Sequence, residues 1–439
     1  MGWGTWAGCS CTGWGRCPVS ELDMTAHEVT PERIAAELAR VRGEAPRPPT
    51  PEQSAVIAAP LAPALVVAGA GSGKTETMAN RVLWLLANRV VESPSQILGL
   101  TFTRKAAGEL GTRIRERIAE LESAGLMPEH DPLDQPEIAT YNSFANGIYR
   151  EHAILLGRDG DAPVLGEAAA WQLARSVVIR SSDPRLPELG KNLETVTRAV
   201  LAIARGLAEN ARSPEEVRDL ARRYAALADL PPGSARGAYE GAVELARSIG
   251  SLDVLTDLAV EFDAEKVRRG VVEYADQVVL ALRIAEMPGS RVGADLRRQF
   301  RVVLLDEYQD TSVVQTRLLA ALFAGHPVMA VGDPNQSIYG WRGASAANLP
   351  QFAELFGAGE RWFELSTSWR NGRRILDAAN HLVEPFRADR RMRVATLAPA
   401  PGASDEPVEA VFEERLEDEA AAVAEWLGAR IATPRPDGR

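Results

Sequence analysis

Cysteine is nearly absent from this 439-residue chain, and the three it has, Cys9, Cys11 and Cys17, all lie in the first 17 residues. No nearby fourth thiolate or imidazole joins them, which excludes a closed tetrahedral metal site there. The cysteine-free remainder fits a reducing cytoplasm and excludes a disulfide framework for the body. Also missing is any apolar run near the roughly 20 residues a membrane helix requires. No signal peptide is apparent, so no membrane partner is expected. Positive charge is short too. A net charge of −11 argues against bulk attraction to nucleic acid, but it leaves room for a local basic groove, because the sign of a site matters more than the total.

What is present describes a globular chain, 46% hydrophobic and 25% charged, long enough for two or three domains. The opening "MGWGTWAGCSCTGWGRCPVSELD" has neither helical nor strand period. It reads as a disordered leader, with Met24 as the expected true start. A short charged helix near 31–42 and the Pro-rich "RGEAPRPPTPEQ" then lead to a domain edge. From there strands and helices alternate: "ALVVA" at 64–68, "ILGLTF" at 97–102 and "EIAT" at 137–140, each followed by a helix. That alternation predicts an α/β fold with a parallel sheet covered on both faces. Residues 150 to about 270 carry only helical periodicity, and "RVVLLDE" and "PVMAVGD" then restore the strand signal. A helical block inserted in an α/β domain explains this order. A further α/β stretch is expected from 344, with strands "RWFELS" and "VEAVFEE" and helices "GRRILDAANHLVEPF" and "LEDEAAAVAEWLGARI".

"AGAGSGKT" at 68–75 follows the first strand and opens a helix, with Ala68 where a glycine is usual. Around Ala68, Gly69, Ala70, Gly71, Ser72 and Gly73, backbone N–H groups can turn inward on a triphosphate at a helix N-terminus. Lys74 would reach the β- and γ-phosphates, and the Thr75 hydroxyl would bind Mg²⁺. "VVLLDEYQD" at 302–310 places Asp306 to hold that Mg²⁺ and Glu307 to orient and deprotonate a water. Alone, Asp-Glu after a strand is often a helix cap or a solvated edge. Together with the phosphate loop, about 230 residues earlier, it reads as a site for nucleoside-triphosphate hydrolysis. "VGDPNQSIYGWRGA" then crowds Gln336, Tyr339, Trp341 and Arg342 into one turn, although reversing the chain needs no exposed aromatics. A small GTPase or P-loop kinase is disfavoured: neither explains this turn, and no guanine-reading Asn-Lys-x-Asp occurs.

"AGAGSGKT", "TFTRKAAGEL", "LLDEYQDT", "VGDPNQSIYGWRGA" and "LSTSWRN" occur in the order found in UvrD/Rep-type superfamily 1 DNA helicases. The resemblance runs from about Pro49 to Ala422. It implies a RecA-like domain over 49–149 and 271–343, a helical insertion over 150–270, and an incomplete second RecA-like domain over 344–439, after a leader and short helix over 1–48. "TFTRKAAGEL", "DEYQDT" and "GWRGASAANL" most resemble the AdnB-type subunit of AdnAB helicase–nucleases. The resemblance implies an adenine-reading role for Gln53 and adenine stacking by Trp369, which stands where a tyrosine is common. It also makes Arg370 an arginine finger on the γ-phosphate; the bland reading of Arg370 is a surface salt bridge.

Gln336 would then contact the γ-phosphate or the lytic water. Tyr339 and Trp341 would stack on bases of single-stranded DNA, with Arg342 on a backbone phosphate; packing between domains stays open, above all for Tyr339. Phe102 would form a base pocket, with Thr103 and Arg104 near phosphates. Thr140 and Asn142 in "TYNSF" match a DNA-contacting segment, although Asn142 replaces its usual His. Asp276 in "EYADQ" matches a motif acid, or else caps a helix, and Glu76 stands where relatives carry Arg.

The expected activity is ATP- and Mg²⁺-dependent 3′→5′ translocation on single-stranded or tailed duplex DNA, in repair or recombination. The family's last motifs and any nuclease domain are missing, which implies the N-terminal part of a longer helicase that does not unwind DNA alone. The alternative is a nucleotide-gated DNA-binding subunit without motor activity, working beside a helicase–nuclease partner.

Overall fold

The computed structural model describes residues 29–231, 239–388 and 394–432. The expected leader with its cysteines and Met24 therefore lies outside the described residues. Five helices accompany the first three strands. They are α1 (Pro31–Arg42), α2 (Pro51–Ile57), α3 (Lys74–Ala87), α4 (Arg104–Ser123) and α5 (Tyr141–His152), with β1 (Ala64–Ala68), β2 (Ile97–Thr101) and β3 (Glu137–Thr140) between them. After a helical excursion come β4 (Val302–Leu305), β5 (Val328–Gly332) and β6 (Trp362–Leu365). All six strands pair in parallel in the order β3-β2-β4-β5-β1-β6.

Consecutive strand residues point to opposite faces, and here both faces are apolar. Leu65, Val67, Val303, Leu305, Val328 and Ala330 join one core with α5. Val66, Ala68, Val302, Leu304, Met329 and Val331 join another with α1 to α4. This is why the strands read as unbroken hydrophobic runs.

The insertion consists of α6 (Glu167–Arg180), α7 (Leu193–Glu209), α8 (Pro214–Ala225), α9 (Glu240–Gly250) and α10 (Leu252–Arg269). It has a core of its own, including Leu173, Val177, Val200, Leu258 and Phe262. The chain leaves and re-enters side by side: Val164 bridges to Val272, and the Leu165 N–H donates to the Val272 carbonyl at 2.8 Å. Just inside this neck the buried Lys266 ammonium lies 2.9 Å from Asp263, 3.2 Å from Glu273 and 2.8 Å from Asp276. Asp276 also accepts from the Glu273 N–H at 2.8 Å, capping α11 (Tyr274–Glu286). The capping alternative for Asp276 is the one the geometry favours.

The chain returns to the sheet through α11 and α12 (Val292–Gln299), and α13 (Val313–Phe323) and α14 (Asn348–Phe356) flank β5 in sequence. Two expectations are corrected here. The strand 362–365, assigned to a second α/β domain starting at 344, is β6 of the first sheet, paired to β1 with Val67 opposite Glu364. Its apolar, half-buried residues find a ready edge beside β1, so the first sheet extends to Leu365. The expected strand 408–414 does not form. No described strand runs beside it, and a lone extended segment has nothing to pair with, leaving Phe412 exposed. Beyond β6 lie a two-residue ladder of β7 (Thr367–Ser368) with β8 (Ala398–Pro399), and helices α15 (Arg373–Val383) and α16 (Leu416–Ala432). No described helix is long and apolar enough to cross a membrane.

Candidate nucleotide and nucleic-acid site

In a parallel sheet every strand ends on the same edge, and ligands bind outside the carboxyl ends of the strands. Here that edge gathers the loop 69–73 after β1, Phe102–Arg104 after β2, Asp306–Asp310 after β4, the turn 333–342 after β5, and 366–370 after β6. Five separated stretches of sequence thus meet by topology alone.

The loop turns through two left-handed residues, Gly71 (φ 76°) and Gly73 (φ 80°), conformations that L side chains rarely adopt. Ala68 ends β1 fully buried, in strand geometry that has no need of a glycine. Ser72 is buried in the loop, and Lys74 and Thr75 begin α3, as a phosphate cradle requires. The Lys74 ammonium lies 3.7 Å from Glu307. Burial, then the adjacent Glu307 charge, pushes Asp306 up to about 7, with Lys74 pulling the other way. Burial and Glu307 likewise raise Asp310 to about 6, and burial raises Asp333, again against Lys74. One ammonium thus faces four carboxyls. Asp306 is 3% exposed, and its Oδ1 is buried without a hydrogen-bond partner. An orphaned, desolvated carboxylate oxygen beside a phosphate cradle is a fitting ligand for a divalent cation.

Two residues that the sequence reading passed over hold these acids. The Tyr141 hydroxyl donates to the Asp306 carbonyl at 2.8 Å. Gln309 donates to Glu307 at 2.8 Å while its side-chain carbonyl accepts from the Asp333 N–H at 3.0 Å. One amide therefore ties the acidic segment to the β5 turn. Its signal was its place between Glu307 and Asp310. Gln336 is in the same network, donating to the Asp333 carboxyl at 2.6 Å.

Gln53 is held by α2. It belongs to a capping box with Thr50, and its Nε2 donates to the Ser72 carbonyl at 3.1 Å. Behind it, the fully buried Arg81 donates to the carbonyls of Val56, Ile57 and Ala59, and burial lowers its pKa to about 10. Glu76 pairs with Arg117 on α4 at 2.5 Å, so it braces α3 against α4. Trp369 is 54% exposed, with its N–H bonded to the Gly71 carbonyl at 2.9 Å. Arg370 is exposed, its Cβ against Gly71, and no described carboxylate pairs with it. The salt-bridge alternative is therefore not what the fold adopts.

On the other side of the β5 turn, Tyr339 stacks on Phe102 with centroids 4.9 Å apart, and Trp341 follows 6.3 Å from Tyr339. Trp341 is 74% exposed. The rings from two distant motifs form one aromatic shelf, half-buried at Phe102 and open at Trp341. The Arg342 side chain lies outside the described residues. Arg104 is exposed at the head of α4, capped by Thr103, whose hydroxyl accepts from the Ala106 N–H at 3.0 Å. Thr140 is corrected: it is buried, and its hydroxyl caps α5 and donates to Ser143. It shapes the helix start and does not face solvent. Asn142 is exposed and accepts from Gln315 at 2.9 Å.

Comparison with known proteins gives these contacts a context. Residues 49–357 match the family profile described as the UvrD/REP helicase N-terminal domain. The chain is 29% identical over 331 residues to the DNA helicase II of Haemophilus influenzae, covering 74% of this chain and 39% of that protein. It is 29% identical over 339 residues to the DNA helicase II of Escherichia coli, covering 76% and 40%. It is 26% identical over 336 residues to the ATP-dependent DNA helicase PcrA of Bacillus subtilis, covering 76% and 39%. The chain thus spans about two fifths of the length of these relatives.

Proposed function

The chain belongs to the UvrD/REP helicase family, and from that premise we propose that it binds ATP on loop 69–75 and couples its hydrolysis to movement on single-stranded DNA. The observation that carries this reading is Lys74, 3.7 Å from Glu307, beside the orphaned Asp306 oxygen on the edge that also bears the aromatic shelf. Lys74 would neutralise the β- and γ-phosphates, and Glu307 would orient the attacking water and accept its proton. Asp306 and Thr75 would hold Mg²⁺, which when bound would offset phosphate charge. Arg370, beside Gly71 and with no carboxylate partner among the described residues, is the group available to meet charge on the γ-phosphate. Trp369 would cover the adenine, and Gln53 would read its edge.

Phe102, Tyr339 and Trp341 would take bases by stacking, with Thr103, Arg104, Asn142 and Arg342 along the backbone. Gln309 and Gln336 link the two halves, since both bind Asp333 at the root of the aromatic turn. Polarity of 3′→5′ and service in repair or recombination rest on the resemblance to the UvrD/Rep-type family, and an AdnB-type subunit beside a helicase–nuclease partner on the motif sequences "TFTRKAAGEL", "DEYQDT" and "GWRGASAANL".

The test is phosphate release from Mg-ATP by the purified chain, with and without oligo-dT. The expected result is hydrolysis stimulated by the oligonucleotide and abolished in Lys74→Ala. A rate indifferent to both oligo-dT and Lys74 would overturn the proposal.

A further inference from the structure

A phosphate cradle works by turning N–H groups inward, so its carbonyls must face outward and find donors elsewhere. In this loop each outward carbonyl has one. The Gly69 carbonyl accepts from the Ser72 N–H at 3.3 Å, and the Gly73 carbonyl from the Thr77 N–H at 2.8 Å. The three between them are held from outside. Ala70 is held by the Ser368 hydroxyl at 2.9 Å, Gly71 by the Trp369 N–H at 2.9 Å, and Ser72 by Gln53 Nε2 at 3.1 Å.

The glycines serve the same clamp. A Cβ on Gly71 would come 2.9 Å from Ser368 Oγ and 2.6 Å from Arg370 Cβ, and one on Gly73 would come 2.9 Å from Gln53 Nε2. Both residues therefore have to be bare on the protein side as well as the phosphate side. Ser368 is fully buried, so its hydroxyl has no water to fall back on. The segment is itself anchored, because the Ser366 N–H and hydroxyl both donate to Glu52, at 2.8 and 2.6 Å. Glu52 and Gln53 are neighbours at the N-terminus of α2, so one short helix grips the loop and the segment together.

We propose that Ser368 and Gln53 are positioning residues that preorganise the phosphate loop by holding its carbonyls outward. This inference rests on the reading that the loop binds a triphosphate. It adds a dependence: the loop is ready for phosphate only while segment 366–370 lies against it, and that segment also carries Trp369 and Arg370. Gln53 then acts on the phosphates through the loop, independently of any adenine contact.

The experiment is calorimetric titration of Mg-tripolyphosphate, which has no adenine, into wild type, Ser368→Ala, Ser368→Thr and Gln53→Met. Loss of one such hydrogen bond predicts affinity weakened about three- to tenfold in Ser368→Ala and in Gln53→Met. Threonine at 368 should restore it, and oligo-dT affinity should stay unchanged, while Gln53→Met also lowers the ligand-free melting temperature by removing the acceptor of the Thr50 N–H. Unaltered tripolyphosphate binding in both variants, or a threonine variant as weak as alanine, overturns the inference. A Gln53 that matters for ATP but not for tripolyphosphate is an adenine reader only, and likewise overturns its part. If wild type itself binds no tripolyphosphate, the proposed function fails first, and the two failures are distinct.

Discussion

Asp306→Asn removes the charge from one of the two most deeply buried acids of the site while keeping its shape, and the structure sets the size of the effect. The carboxyl moves from its ordinary 3.8 to about 7, first through burial and then through Glu307. The folded chain therefore keeps a proton that the unfolded chain has released, and stability from this group falls as pH rises through about 4 to 7. It is recovered in full only below about pH 4. Between pH 5 and pH 8 the wild type should lose about 3 kcal/mol that the asparagine variant does not lose. Asp310 and Asp333 are raised in the same sense, but their contributions are shared and largely cancel between the two proteins. The assay is thermal unfolding of both proteins at pH 5 and pH 8 in chelator. The melting temperature of the variant relative to wild type should rise by roughly 5–10 °C on going to pH 8. Mg²⁺ at pH 8 should shrink that gap by pairing the wild-type charge. A difference between the proteins that is the same at both pH values would refute the claim that Asp306 is a desolvated acid awaiting a cation.

Trp341→Ala should weaken oligo-dT binding about 5- to 100-fold by fluorescence anisotropy and leave nucleotide affinity unchanged; equal DNA affinity would remove the open end of the aromatic shelf from the DNA site. Lys266→Met removes the ammonium that lies over the Phe262 ring and beside Asp263, Glu273 and Asp276, while Glu273 keeps Arg205. It should destabilise the neck of the insertion by about 3 kcal/mol, read as faster amide exchange in α10 and α11, with unchanged exchange arguing that the acids are solvated. Arg81→Met leaves the Ile57 and Ala59 carbonyls without their donor. It should lower the melting temperature and loosen α2, so that ATP affinity falls even though residue 81 touches no nucleotide; intact affinity would show that α2 is held by other contacts.

Much of the central sheet was legible because a parallel strand buried on both faces leaves an apolar run, as in β1, β2, β4 and β5, whereas the edge strand β3 reads only as a short EIAT segment before a helix. The insertion was legible for the complementary reason, a long stretch with helical period and no such run. What failed was strand partnership. "RWFEL" and "VEAVFEE" look alike as isolated segments, yet only the first has the free edge of β1 beside it. Periodicity reports which face of a strand is buried and is silent on which strand lies next to it. In the site, residues whose chemistry is local were readable, such as Lys74 on a glycine loop or Asp306 after an apolar strand. Gln309, Tyr141, Arg81 and Ser368 were not. Each acts on a carbonyl, an amide or a carboxyl brought near by folding, and nothing in the neighbouring sequence marks that use.

The placement of Glu307 argues that the proposed hydrolytic and DNA-gripping halves would work as one device. Its backbone is left-handed, φ 48° and ψ 43°, a conformation that costs a non-glycine residue on the order of 1 kcal/mol. That kink ends the β4 path at once and starts the turn 308–310, so that successive side chains diverge: Asp306 stays buried, Glu307 reaches Lys74, and Gln309 crosses to β5. Without it, strand alternation would put Asp306 and Glu307 on opposite faces of the sheet. The same amide that accepts from the Asp333 N–H holds Glu307 by hydrogen bond, and Ser337 Oγ donates to the Gln309 carbonyl at 3.2 Å. Any shift of Glu307 on loss of a phosphate is therefore passed to both ends of the segment 333–337. Two residues further on, Tyr339 rests on Phe102. On the proposed function, a rigid strand edge, one strained acid and one bridging amide would connect the state of the nucleotide to the pose of the stacking platform.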